Sequence, residues 1–114
     1  MLRFQKLDVY RCSIEFLARS VSLPEVLPRG HAVLADQLRR AALSVPLNIA
    51  EAAGRASVAG TARHFAIARG SAMECAAVLD AFLVLDVIDA AQHASAIELL
   101  ERIVSMLTKL CRVA

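Results

Sequence analysis

The sequence predicts an all-α protein, an antiparallel up-down-up-down four-helix bundle. Apolar residues form 58% of the 114 residues and charged residues 21%, which excludes a disordered polar chain. Four Gly and three Pro are too few for a turn-rich β-sandwich. In four segments, apolar side chains recur at three- and four-residue steps, the spacing of one helix face. A chain of this length has room for one domain, which we expect to span residues 1–114.

The first helix is predicted from about Phe4 to Val21, because one apolar stripe repeats along it. The segment after it contains Pro24, Pro28 and Gly30, which cannot continue a helix. The stripe consists of Leu7, Tyr10, Ile14, Leu17 and Val21.

The second helix is predicted from about Ala32 to Ala53, with Gly54 as its C-terminal stop. Pro46 lies inside it, where a proline removes a backbone hydrogen bond and clashes with the preceding turn. We expect a kink at Pro46 rather than an end, because the stripe keeps its phase across it. That stripe consists of Leu34, Leu38, Ala41, Val45 and Ile49.

The third helix is predicted from about Val58 to Asp86, with Ser57 or Thr61 as its N-cap. One of its stripes consists of Phe65, Ala68, Ala72, Cys75, Leu79 and Phe82. A second, mostly apolar stripe consists of Ile67, Ser71, Glu74, Val78, Ala81 and Leu85.

The fourth helix is predicted to start near Asp89, with Gln92 completing a capping box, or at Ser95 with Glu98, and to end near Arg112. It is apolar on two faces. A helix that is apolar on two faces is buried on two faces, so we expect the second faces of helices three and four to lie between subunits of a homo-oligomer. The two faces are Ile97, Leu100, Val104, Leu107 and Cys111, and Leu99, Ile103, Met106, Leu110 and Val113.

Several function classes find no support in the sequence. No apolar run approaches the roughly 20 residues of a membrane span, and the N-terminus does not have the pattern of a signal peptide, so we expect a cytoplasmic protein with reduced cysteines. The three His and three Cys are scattered without metal-ligand spacing, and no phosphate-binding glycine loop occurs. We therefore expect no metal, no cofactor and no catalytic residues.

One line of polar residues stands out on helices two and three, and we call it the polar seam. Its members on helix two are spaced at three and four residues, so they share one face, and Glu51 and Arg55 form an i,i+4 pair. The seam is either a hydrogen-bonded contact that fixes helix register or assembly, or a ligand-binding line. It consists of Arg40, Ser44, Asn48, Glu51 and Arg55, with Arg69, Ser71 and Glu74 on helix three.

The same stretch resembles a known family. QLRRAALSVPLNIAEAAGR at 37–55, HFAIARGSAMEC at 64–75 and the opening FQKLDVYR are similar to the four-helix bundle proteins encoded in 23S ribosomal RNA intervening sequences. Ala52 stands where that family usually has Gly, and Gly60 where it often has Glu. The residues that match its motifs are Gln37, Arg39, Arg40, Ser44, Pro46, Asn48, Glu51, Gly54, Arg55, Arg69, Gly70, Ser71 and Glu74.

The resemblance implies an antiparallel bundle without established catalytic activity, assembled into a ring, most often a pentamer. A relative of the family, the accessory protein of diversity-generating retroelements, binds nucleic acid and a reverse transcriptase through a basic surface. That role is not general to the family.

The distribution of charge is uneven, although the net charge is only +2. Residues 70–101 contain six acidic residues and no Lys or Arg, whereas residues 39–69 contain five Arg against Glu51. In an up-down-up-down bundle, the starts of helices one and three meet the ends of helices two and four. The cations expected there, which we call the basic end, are Arg3, Lys6, Arg11, Arg55, Arg63, Lys109 and Arg112.

Two functional hypotheses follow. In the first, the protein is a non-enzymatic oligomeric bundle that binds RNA or DNA through the basic end as an accessory factor, by salt-dependent contacts to the phosphate backbone. In the second, it is a protein-interaction or scaffold module whose polar seam and apolar faces serve assembly alone.

Overall fold

A computed structural model describes residues 1–23 and 29–113 of the chain, apart from the side chain of Val113. A 3₁₀ turn at Arg3–Lys6 precedes four helices: α1 Asp8–Ser22, α2 Ala32–Gly54, α3 Val58–Val84 and α4 Ala90–Val113. The described ranges contain no strand. The all-α, four-helix prediction is confirmed, whereas the predicted helix break at Pro24 and Pro28 lies outside the described residues.

Each helix packs against two others around one hydrophobic core. α2 contacts α1 and α3, α3 contacts α4, and α4 contacts α1, while the contact between α2 and α3 is the most extensive. These two helices are joined by residues 55–57 alone. The largest fully buried side chains of the core are Phe16, Leu38, Ile49, Leu79, Phe82, Leu100, Ile103 and Leu107.

Hydrogen bonds between helices pair residues in reversed order along the chain. For each joined pair of helices, rising residue numbers on one helix meet falling numbers on the other, so the two helices run in opposite directions. The pairs are Ser44–Ser71 (2.8 Å) and Asn48–His64 (3.0 Å), Arg69–Thr108 (3.3 Å) and Asp80–His93 (2.8 Å), and Cys12–Arg102 (3.6 Å) and Arg19–Ser95 (3.4 Å).

The first helix differs from its prediction in its start. Leu7, with ψ of 133°, is extended and separates the 3₁₀ turn from α1. The turn closes because the Leu2 amide donates to the Gln5 side chain (2.7 Å), and it brings the Phe4 ring edge-on to Tyr10. The prediction that the first helix runs on continuously from Phe4 is therefore wrong.

The predicted core stripe of the first helix is only partly right, because Leu7, Tyr10 and Leu17 are half-buried against the core. Ile14 and Val21 are exposed, and the face that enters the core consists of Val9, Cys12, Ser13, Phe16 and Ser20. Both serines are buried because each hydroxyl donates to the carbonyl oxygen three residues earlier, at 2.6 and 2.7 Å, which removes the cost of burying an unpaired polar group.

The predicted stripe of helix two and the first stripe of helix three enter the core as expected, apart from Leu34, which is half-buried. α2 continues through Pro46, which is buried inside it, and a kink there stays a prediction. Ser57 is the N-cap of α3 and accepts from the Gly60 amide (3.0 Å). Asp89 and Gln92 form the capping box of α4 (2.9 and 2.7 Å), so the start at Ser95 is wrong.

α3 ends two residues earlier than predicted, in a Schellman motif. Asp86 adopts a positive φ of 58°, and the Asp86 and Val87 amides donate to the carbonyl oxygens of Leu83 (3.1 Å) and Phe82 (2.8 Å). These bonds satisfy carbonyls that the last turn of a helix leaves free. Val87 and Phe82 are both buried and supply the apolar contact typical of the motif.

The prediction that the second faces of helices three and four lie between subunits is wrong for part of helix four and stays a prediction for helix three. On α4, Leu99 and Ile103 are buried inside the chain, because both neighbouring helices cover α4. On α3, Ile67 and Leu85 are exposed. The predicted role of Val113 lies outside the described side chains. Within the ranges described, none of the helices is long and apolar enough to cross a membrane.

Candidate functional site

A connected polar network lies between α2 and α3. The Asn48 amide donates to the Ser44 carbonyl (2.9 Å) and hydroxyl (3.1 Å), while its carbonyl oxygen lies 3.0 Å from His64 Nδ1. The Ser44 and Ser71 hydroxyls are 2.8 Å apart. All four side chains are half-buried. We call these four residues the Ser–Asn–His network; it links the two helices at two levels.

The network contains only part of the predicted polar seam. Ser44, Asn48 and Ser71 belong to it. Glu74 contacts α2 nearer the start of that helix, where its carboxylate accepts a hydrogen bond from the Gln37 side-chain amide. Arg69 instead donates to Thr108 on α4 (3.3 Å). The seam therefore divides between two helix contacts.

The remaining seam residues point to solvent. Arg40 pairs with Asp36 on its own helix (3.2 Å), and both side chains are more than half exposed. The predicted Glu51–Arg55 pair forms (3.0 Å), also on the surface of α2. The ion pairs of these three charged residues are all to acidic or basic residues one turn away, and none of them bridges α2 and α3.

Sequence reasoning missed His64 and Gln37 as members of this contact. His64 precedes Ser71 by seven residues and Gln37 precedes Ser44 by seven, which is two helical turns and the same face in each case. That spacing was readable, but a single His on a helix is most often a surface residue.

The basic end is assembled from the 3₁₀ turn, from α1, α3 and α4, and from the connection that follows α2. The start of α1 meets the end of α4, where Leu7, Asp8, Val9, Met106, Lys109 and Leu110 line one groove. On the opposite side, the Arg55 side chain lies close to the first turn of α3. Its Cβ atom is 3.5 Å from the position that a Cβ atom on Gly60 would occupy. The reversed helix order therefore brings the predicted cations to the same end of the bundle.

The cations of the basic end are largely unneutralised. All seven side chains are exposed, and within residues 1–23 and 29–113 Arg55 is the one member that forms an ion pair. Asp8 and Glu51 are acidic residues on the same turns, and Glu101 lines one groove together with Asp8 and Arg11. A surface of this kind attracts polyanions, because guanidinium groups bind phosphate oxygens in a planar, two-pronged geometry.

The aromatic residues are all engaged within the protein. Phe16, Phe65 and Phe82 are buried, and the half-buried rings of Phe4 and Tyr10 contact each other edge to face, with centroids 5.0 Å apart. Since the chain has four Phe, one Tyr and no Trp, no exposed aromatic ring is left to stack on a base.

The described residues do not contain a group of three or more His, Cys, Asp and Glu that could hold a metal ion. Cys12, Cys75 and Cys111 are free thiols. Burial, and secondarily the neighbouring charge of Glu74, raises the pKa of the Cys75 thiol to about 12, so this cysteine stays protonated and unreactive.

The chain is similar in sequence and in structure to proteins of one family. A family model described as 23S rRNA-intervening sequence protein matches residues 5–109. A crystal structure of a protein with unknown function from the S23 ribosomal protein family of Bacteroides thetaiotaomicron is 26% identical to the chain. The alignment covers 91% of this chain and 95% of that one, with a TM-score of 0.84. No curated protein matches the chain.

Proposed function

The chain belongs to the 23S rRNA-intervening sequence protein family, and on this basis we propose that it is a non-enzymatic, oligomeric accessory factor that binds RNA or DNA through its basic end. The proposal is supported chiefly by seven exposed cations on the 3₁₀ turn, on α1, α3 and α4 and in the α2–α3 connection, which the helix order assigns to one end of the bundle. No reaction is assigned to the family by its description, and the similar crystal structure is of a protein with unknown function.

Electrostatics supports nucleic acid as the partner. Binding a polyphosphate releases the counterions condensed on it, which favours association at low salt without any sequence readout. Arg supplies 11 of the 13 basic residues, and its planar fork suits phosphate oxygens better than a Lys ammonium does. A cytoplasmic location with reduced thiols belongs to the same proposal.

Filter binding of labelled RNA and DNA tests the proposal. We expect retention at low salt that is lost as salt rises. The double variant Lys6→Gln, Lys109→Gln should bind about tenfold more weakly at fixed salt, because each lost phosphate contact removes part of the counterion release. Arg39→Gln is the matched control, because this exposed arginine of α2 lies outside the basic end. Absence of retention for every RNA and DNA at low salt would overturn the proposal.

We further propose that the protein is a homo-oligomer, a ring and most often a pentamer, in contact through the outer side of α2 and α3. Leu43 (44% exposed) and Leu47 (55%) are neighbours on one face of α2. Ile67 (37% exposed) lies one turn from Ser71, which bonds to α2. Apolar side chains grouped in this way favour contact with another protein surface, and a ring would repeat the basic end once per subunit.

Light scattering tests this assembly. We expect a mass that is a multiple of 12.3 kDa, and a smaller mass for Leu47→Glu. Val84→Glu, which changes a residue 80% exposed at the far end of α3, serves as the control and should leave the mass unchanged. A monomeric mass for the native chain at all concentrations would refute the assembly.

A second candidate function is a scaffold module without nucleic acid. It is favoured by the Ser–Asn–His network, because no side-chain N or O atom buried in the described residues lacks a hydrogen-bond partner, so the network needs no ligand. This reading expects Ala at Asn48, Glu51 or Arg55 to weaken assembly or lower the melting temperature. Unchanged assembly and melting in all three variants would count against it.

A further inference from the structure

We propose that assembly of the protein depends on pH through His64, which releases the subunits from one another when its ring takes up a proton. The inference rests on the proposed homo-oligomer and adds a regulatory property to it. It is carried by two features. One is the set of hydrogen bonds that decides which ring nitrogen of His64 is free, and the other is the position of this side chain beside exposed apolar residues of α2 and α3.

The Ser–Asn–His network fixes the tautomer of His64. The main-chain carbonyl of Ser44 can only accept a hydrogen bond, so the Asn48 atom 2.9 Å from it must be the amide nitrogen. The carbonyl oxygen of Asn48 therefore faces His64 Nδ1, at 3.0 Å, and Nδ1 must carry the hydrogen that this oxygen accepts. Since a neutral imidazole has one N–H and one acceptor nitrogen, Nε2 keeps the free lone pair and is the atom that takes up a proton.

His64 Nε2 lies at the surface of the subunit. It has no hydrogen-bond partner among the described residues, whose buried side-chain N and O atoms all have one, so Nε2 is not a buried atom. The surface around it is apolar, because Leu47 precedes the bonded Asn48 and Ile67 follows His64 by one helical turn. Leu47 is 55% and Ile67 37% exposed. A second subunit seated on these two side chains covers His64 as well.

The charged groups near His64 do not supply an anion for a proton on its ring. On α2, Glu51 and Arg55 share a face with Asn48, but they neutralise each other in an ion pair of 3.0 Å. On α3, Arg63 is the preceding residue and adds a second cation. Arg69 is directed to a hydroxyl of α4 (3.3 Å), and five residues separate it from His64, which places it on another side of the helix. A covered and protonated His64 would hold an uncompensated charge between apolar side chains.

The direction of the pH effect follows from these surroundings. Histidine ordinarily changes its charge between about pH 5 and 8. Above this range the ring is neutral and a neighbouring subunit can cover it. Below it the free subunit is favoured, because only there does water solvate the charge. His93 behaves differently, since its Nε2 is 2.8 Å from the Asp80 carboxylate, which pairs with the protonated ring. A ring-shaped oligomer repeats His64 once per subunit, so the effect is multiplied around the assembly.

Light scattering at about pH 7.5 and about pH 5.5, on either side of the ordinary titration of histidine, tests the inference. Circular dichroism of the same samples follows the helix content. We expect the oligomer mass to fall in acid, with dissociation constants raised about tenfold or more, while the helix signal stays unchanged. His64→Gln, whose neutral amide can still donate to Asn48, should keep the oligomer at both pH values. His93→Gln is the matched control and should dissociate in acid as the native chain does.

A second variant tests the tautomer. Asn48→Asp places a carboxylate against Nδ1 and should move the dissociation to higher pH, and an unmoved transition would overturn the inference. An oligomer of unchanged mass at both pH values would overturn it too and leave the proposed assembly intact. Acid dissociation that persists in His64→Gln, or that accompanies loss of helix, would count equally against it. A native chain that is monomeric at both pH values would overturn the assembly itself.

Discussion

The left-handed backbone conformation of Asp86, at the end of α3, allows the change in folding stability on substitution to be predicted. Its φ of 58° is in the left-handed region, which costs roughly 1–2 kcal/mol for an ordinary L-residue, with Asp at the low end because its short polar side chain tolerates this conformation. Gly has no such penalty but loses more conformational freedom on folding, by roughly 0.5–1 kcal/mol. We therefore expect Asp86→Gly to stabilise the protein by about 0.5 kcal/mol, and Asp86→Val to destabilise it by about 1 kcal/mol or more.

Urea unfolding followed by circular dichroism measures these differences. Glu98→Gly is the matched control, because this exposed residue lies within α4, where Gly should cost about 1 kcal/mol. For a domain of this size, a gain of about 0.5 kcal/mol raises the melting temperature by roughly 2–4 °C. If Asp86→Gly destabilised the protein as much as Glu98→Gly does, the assignment of Asp86 as the left-handed residue of the Schellman motif would be refuted.

Three further predictions concern stability. Phe16→Ala should cost about 3–5 kcal/mol because the ring is fully buried, whereas Ile14→Ala on the predicted but exposed stripe should cost less than about 1 kcal/mol; equal losses in urea unfolding would restore the sequence-based stripe. Ser57→Ala should cost about 1 kcal/mol through loss of the α3 N-cap, and an unchanged melting temperature would contradict this. The pKa of the Cys75 thiol is raised from 9.0 to about 12, so the folded state holds its proton where the unfolded state releases it. Stability from this group is therefore complete below pH 9 and falls by roughly 1.4 kcal/mol per pH unit above it, up to about pH 12, and a Cys75→Ala variant should lack that part of the pH dependence.

The elements that the sequence predicted well are those in which packing and hydrophobic pattern agree. The stripes of α2 and α3 repeat over many turns with small and branched apolar residues, and their burial follows. Ser57 and Asp89 were readable because an N-cap acts locally, within three residues of the chain.

The errors arise where a side chain's environment depends on its partner. The apolar pattern of the first helix gives no sign that Ser13 and Ser20 are buried, because the hydrogen bond from each hydroxyl to its own helix is what removes the cost of burying it. His64 was considered only as a metal ligand, and its contact with Asn48 on another helix depends on how the two helices pack. The basic end was predictable as a set of residues, since it depends only on helix order, but the exposure of each cation required the structure.

The short connection between α2 and α3 has a consequence for how the chain folds. Only residues 55–57 separate two helices that share the most extensive contact of the bundle, so closing this hairpin costs little loop entropy. α1 and α4, in contrast, are far apart in the sequence, so their contact forms only after α4 is present and folded. We expect the α2–α3 hairpin to collapse first, with the closure of α1 on α4 as the slower, late step. The Ser–Asn–His network would then already be formed while the apolar faces that receive α4 are still open.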